Sequence, residues 1–176
     1  MKCALCENKE CFKGKDCTND REEEVALYQD ENLKMMQVTG VMNKNAGRLE
    51  ELIEFGKLMN YKKIGVAFCI AFKNEAKIIH EILSEHFEVS SICCRNAGVD
   101  KSELNMPKRR ADKGETSCNP IGQAHKLNER NTELNVLVGL CMGHDVLFNK
   151  WSEAPTTTLI VKDRKYKHNP LEGIAG

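Results

Sequence analysis

The sequence predicts an α/β fold: a mostly parallel sheet of about four strands with helices on both faces, Rossmann-like, preceded by a small cysteine-rich knuckle and N-terminal helices. Three observations predict it. Residues 64–72, IGVAFCIAF, are apolar on both alternating faces, as in a central strand covered on both sides. Three further strand-like runs follow, FEVSSICC at 87–94, LNVLVGLC at 134–141 and a threonine-rich one at 156–162, with helical patterns between them. Such alternation implies right-handed crossovers and therefore a parallel sheet.

The helices are read from spacing and end signals. After Asn45, residues Leu49, Leu52, Ile53, Gly56 and Met59 recur on one face, with Arg48, Glu50, Glu51, Glu54 and Lys57 outside. Asn74 opens a helix with Ile78, Ile79, Ile82 and Leu83 as its stripe, and Pro120 opens another carrying Ile121, Ala124 and Leu127. A further helix covers 144–151. Near the N-terminus Thr18, Asn19 and Asp20 offer caps, and Glu22, Glu23 and Glu24 suit the positive end of a helix dipole. The apolar face of Val25, Tyr28, Leu33 and Met36 is broken by Asp30, Glu31 and Asn32, so one long helix and two short ones both fit. The expected organisation is a four-cysteine metal-binding knuckle at 1–18, a helical segment at 19–60 packing on the core, and an α/β domain at 61–176.

With 26 basic and 26 acidic residues in 176, the chain has no net field to draw it to nucleic acid or anionic lipid. Its longest strongly apolar stretch, 64–72, is too short to span a bilayer. Nine cysteines is an odd number, and the N-terminus does not read as a signal peptide. Reduced thiols in the cytoplasm are expected.

Four of the nine lie in MKCALCENKECFKGKDC, as Cys3, Cys6, Cys11 and Cys17. The C-x2-C-x4-C-x5-C run has few large apolar groups, so it should fold around a ligand. Zinc accepts four thiolates, and the spacing is near that of a zinc knuckle; an iron–sulfur cluster takes four cysteines as well. Both stay open.

The other five fall where open parallel sheets bind ligands, beyond the carboxyl ends of the strands. Cys69 lies towards that end of the first strand, Cys93 and Cys94 end the second, Cys141 ends the third, and Cys118 stands just before the helix at Pro120. Turn residues follow Cys94, Cys118 and Cys141, which makes them candidate catalytic thiols or ligands of a second metal or iron–sulfur site. Cys69 and Cys93, inside strands, read as cofactor-binding or as core packing, and the pleat points Cys93 and Cys94 to opposite faces. His144 is a candidate acid–base group or ligand, or a helix cap, with Asp145 to orient it. His80, His86 and His125 read as helix-surface residues. Residues 95–117 form a long loop whose Lys108, Arg109, Arg110 and Lys113 clamp a small anionic substrate or are simply solvated.

No G-x-G-x-x-G, Walker A loop or G-x-S-x-G elbow is present. The phrases YKKIGVAFCIAF, SICCRNAG, SCNPIGQAHKLN, TELNVLVGLCMGHDVLF and APTTTLIVKDR, with the N-terminal CALC run and the closing HNPL, resemble the prokaryotic family labelled domain of unknown function 1847. The resemblance covers nearly the whole chain. It implies an uncharacterised cysteine-rich metal-binding protein, and it puts Cys69, Cys94, Cys118, Cys141, His144 and Asp145 within signature phrases.

The expected function is metal- or iron–sulfur-dependent redox or sulfur-transfer chemistry at the cysteine-rich edge. The alternative is a non-catalytic zinc-binding or metal- and redox-sensing module. RNA binding through the knuckle is disfavoured by zero net charge and by Phe12 being its single aromatic residue.

Overall fold

The computed structural model describes residues 1–174. The chain divides into two compact units, Met1–Met42 and a second from Asn43 onward.

The first unit begins with 3-10 turns at Cys3–Leu5 and Glu10–Lys13, followed by helices α1 (Arg21–Ala26) and α2 (Asp30–Val41). The polar break in the apolar pattern therefore separates two helices. Asp20 is the N-cap of α1 but makes no side-chain cap bond. Asp16 does that work instead, its carboxylate accepting from the backbone N–H groups of Thr18, Asn19 and Arg21. Those bonds, Asn19 first, hold its pKa below the usual carboxylate value. Val38 is the one buried residue described in this unit.

The second unit is the predicted α/β fold. Helix α3 (Arg48–Met59), grouped at sequence level with the 19–60 segment, lies within it. Four parallel strands follow, β1 (Lys63–Phe68), β2 (Glu88–Cys93), β3 (Leu134–Val138) and β4 (Thr156–Ile160), in the order β2-β1-β3-β4. The connecting helices are α4 (Lys73–Ser84), α5 (Pro120–Asn128) and α6 (His144–Trp151). From β1 the chain steps outward to β2, then crosses back to β3 on the opposite side. Right-handed crossovers thus put α4 on one face and α5 with α6 on the other.

Close packing explains the central pair. Ile64, Val66, Leu137 and Val138 are essentially inaccessible, and Gly65 sits where a Cβ would lie 2.0 Å from Asn135 Oδ1 and 2.8 Å from Leu127. A side chain there would displace a buried polar group, because Asn135 Oδ1 accepts from Thr132 Oγ1 and its Nδ2 donates to Ser152 Oγ. Gln123, fully buried on α5, donates from Nε2 to the carbonyls of Phe68 and Ile92, which ties the carboxyl ends of β1 and β2 to the helix.

Three strands stop earlier than the runs that predict them, β3 among them: it ends at Val138, so Cys141 lies past the strand it was expected to end. β1 ends at Phe68; Cys69 N–H still donates to Val138 O, but Ile70–Phe72 turn into a 3-10 helix. β4 ends at Ile160, so Lys162 lies beyond the sheet. Among the described residues no helix is long and apolar enough to cross a membrane.

Candidate thiol site at the carboxyl edge

Two loops lock together to place Cys94 and Cys118. Cys94 N–H donates to Phe68 O, and Asn119 N–H donates to Cys94 O. Asn96 Nδ2 donates to the carbonyls of Cys93 and Asn119, while Asn119 Nδ2 donates to Asn96 Oδ1 and Asn119 Oδ1 accepts from Gly122 N–H at the start of α5. The clasp leaves Cys118 Sγ 3.7 Å from Cys94 Sγ, although 24 positions separate them. Cys94 is 1% exposed, and its sulfur accepts from Ile70 N–H at 3.4 Å.

A second group adjoins the first. Lys162, just past β4, places Nζ 2.7 Å from Cys69 Sγ and 3.7 Å from Cys141 Sγ, and Arg164 Nη2 lies 3.3 Å from Cys141 Sγ. The ammonium also stands 5.5 Å from the centroid of the Phe72 ring, which packs edge-on against His168. Gly139, at φ +61°, turns the chain out of β3 beneath that ring; a Cβ would meet it at 2.1 Å.

The buried sulfurs differ electrostatically. Burial pushes the Cys69 thiol up, but the Lys162 hydrogen bond, the Ala71 N–H, the Lys162 charge and the Cys94 thiol together bring it below the ordinary value. Cys94 has no such cation. Burial raises it strongly, the Ile70 N–H opposes, and the neighbouring sulfurs of Cys118 and Cys69 raise it further. Cys69, lowered by its cation, is thus the more acidic of the two thiols, and Cys94, raised by burial, the less acidic.

His144 belongs to the same edge. Its N–H donates to Cys141 O, and its imidazole is held towards the neutral form by burial and by the Lys162 charge, against the pull of Asp145. The Asp145 carboxylate accepts from Val146 N–H at the start of α6. Cys93, half-buried on β2, is not among the described sulfur contacts that join Cys69, Cys94 and Cys118. Cys3, Cys6, Cys11 and Cys17 are all exposed. Among the described residues, no group of three or more His, Cys, Asp or Glu side chains is placed to hold a metal ion, in the N-terminal run or at the edge.

The basic loop is folded on its own acids. Lys108 pairs with Asp100 at 2.7 Å, Lys101 with Glu115 at 2.8 Å and Arg110 with Asp112 at 3.2 Å, around an antiparallel bridge from Asp100 to Thr116. Lys108 thus holds the Asp100 carboxyl well below its usual range. The cations that meet the thiols are Lys162 and Arg164, which sequence reasoning did not single out. Applying the carboxyl-edge rule to the fourth strand as well as the first three points to them.

Fold and edge define a class: a parallel α/β unit whose strand ends carry a network of thiols and two basic side chains. The family model described as protein of unknown function (DUF1847) matches residues 12–159, and the chain belongs to that family. It is 52% identical over 180 residues to an uncharacterized protein of Methanocaldococcus jannaschii, an alignment covering 99% of this chain and 93% of that protein. No solved structure matches it.

Proposed function

We propose that the carboxyl edge is a thiol redox site, with Cys94 and Cys118 as a pair that cycles between dithiol and disulfide. The supporting observation is their 3.7 Å sulfur separation inside the asparagine clasp. Bond formation there asks the two sulfurs to close from 3.7 Å to the roughly 2.05 Å of a disulfide. The two thiols lose two protons and two electrons, and a disulfide substrate, R–S–S–R, takes them up to leave as two R–SH. In this reading Cys69 is the exchanging thiol next to Cys94, the Lys162 ammonium favours its thiolate form, and His144, its pKa lowered by burial, is a base at the same edge.

The test is a redox titration of the full chain with the thiols trapped and mapped by mass spectrometry. The expected result is a Cys94–Cys118 disulfide that forms and disappears reversibly as the poise changes, and that is lost in Cys118→Ser. Thiols persisting at both positions under every poise would end the proposal.

A second reading, a non-catalytic zinc-binding or metal-sensing module, draws on the N-terminal unit. Its four exposed thiols stand on short turns without buried apolar residues, the circumstance in which a metal supplies the folding energy. Zinc or an iron–sulfur cluster at Cys3, Cys6, Cys11 and Cys17 would require those side chains to gather. Metal content and visible spectrum of oxygen-free protein, compared with Cys3→Ser and Cys6→Ser, decide it. Metal bound by the wild type and lost in both variants supports the module, and metal-free wild type removes it.

A further inference from the structure

We propose that Cys141 is the entry thiol of the edge and that its substrates are disulfides of small carboxylate-bearing thiols, docked by Arg164 and Lys162. The inference rests on the redox reading above and adds to it where the substrate enters and what charge it carries.

Four features point there. The sheet order makes β1 and β3 the strands from which successive connections leave in opposite directions, and in open parallel sheets the crevice at that switch is where ligands bind. Cys69 and Cys141 follow those two strands. Next, access separates the thiols. Of the four linked thiols, Cys94 and Cys69 are buried, so an outside disulfide reaches the network at Cys118 or Cys141, both half-buried. Charge then separates these two. Cys141 has a guanidinium at 3.3 Å and an ammonium at 3.7 Å, whereas the described contact of the Cys118 sulfur is with Cys94. The nearby carboxylates of Asp145 and Asp163 accept from backbone N–H groups of Val146, Lys165 and Tyr166. An exposed guanidinium suits a carboxylate by its fork of donors. Lastly, the same Lys162 ammonium contacts both Cys141 and Cys69, so the entry thiol and the buried network share one cation.

The exchange balances without another reactant. Cys141 thiolate attacks R–S–S–R, forming Cys141–S–S–R and releasing RS⁻. Cys69 thiolate then attacks the Cys141 sulfur and expels the second RS⁻. Cys94 displaces Cys141 from Cys69 and Cys118 then displaces Cys69 from Cys94, so that Cys94–S–S–Cys118 remains and Cys141 and Cys69 return to the form in which they began. The protons lost by Cys94 and Cys118 end on the two RS⁻.

The probes are glutathione disulfide, which is anionic, and cystamine, which is cationic, added to the reduced full chain with each cysteine followed by mass mapping. The wild type should form the Cys94–Cys118 disulfide faster with glutathione disulfide. Cys141→Ser should slow that reaction by about tenfold or more while reaching the same end point in an oxidising buffer, and Cys69→Ser should accumulate a mixed disulfide at Cys141. Arg164→Gln should lose about threefold to tenfold of the preference between probes, the scale of one charge pair near a surface. A wild-type rate in Cys141→Ser, a mixed disulfide gathering at Cys118 instead, or an unchanged preference in Arg164→Gln would overturn the inference with the redox reading intact. Failure of the Cys94–Cys118 disulfide to form at equilibrium in the wild type overturns both.

Discussion

The two sets of cysteines make opposite use of sequence distance. Cys3, Cys6, Cys11 and Cys17 are neighbours in the chain, yet all are exposed, on turns stabilised by local hydrogen bonds. Cys69, Cys94, Cys118 and Cys141 are far apart in the chain, yet strand ends, a clasp and one shared lysine link them into a network. A tertiary fold fixes the second set, and in the first nothing but local turns, or a ligand, can fix anything. Protection from solvent, rather than spacing, is therefore the property that separates them.

The largest expected effect tests that protection directly. In native protein, Cys94 should be alkylated on the order of 100-fold more slowly than the N-terminal four, because a nearly inaccessible thiol reacts only through local opening. Equal rates would break the contrast. Slow N-terminal labelling that quickens with a chelator would sharpen it, since a bound metal would then be doing for the first set what the fold does for the second.

A smaller effect follows from the clasp. Asn119→Ala removes the bonds to Asn96 and Gly122 and should cost about 1–2 kcal/mol in denaturant unfolding, the range for a lost helix cap. It should also reduce the yield of Cys94–Cys118 disulfide. Unchanged stability and yield would show that the strand ends alone hold the pair.

The smallest concerns pH. With the Lys162 ammonium gone, burial is left as the dominant influence on Cys69, so Lys162→Met should move its titration to higher pH. Its alkylation at neutral pH should slow accordingly, because a smaller fraction of the thiol is then thiolate. Because the folded pKa is depressed, this group's contribution to stability is complete above the unfolded thiol pKa and is lost as pH falls through the folded one; with burial dominant in Lys162→Met, the sign should reverse and the variant should lose stability as pH rises. A pH profile for Cys69 that is the same in the variant would detach lysine from thiol.

Most of the fold was legible because burial leaves a periodic mark. The apolar run at 64–72 and the strand–helix alternation define a parallel sheet, and the sheet defines an edge. Strand ends were less legible: Cys69 to Phe72 are as apolar as the strand before them, and only the turn into 3-10 geometry, with Phe72 over Gly139, separates them. The candidate site was half legible. The thiols stand out by residue type, but Lys162 and Arg164 resemble any surface cations until the sheet order brings the end of β4 beside that of β3. In residues 95–117 the basic run stands out by residue type, while the acids that pair with Lys108 and Lys101, Asp100 and Glu115, are spread along the same loop and are legible only once it is folded.

That loop has one further consequence. Its two ends are tied by Asn96 and Asn119, so the stretch between them is a closed ring hung on the body of the protein. Lengthening a ring already closed costs little, because closure entropy grows only with the logarithm of its size. Extra residues spliced near Asp112, or a protease nick there, should leave Cys94 and Cys118 facing each other, which makes this the natural place to graft a tag or reporter.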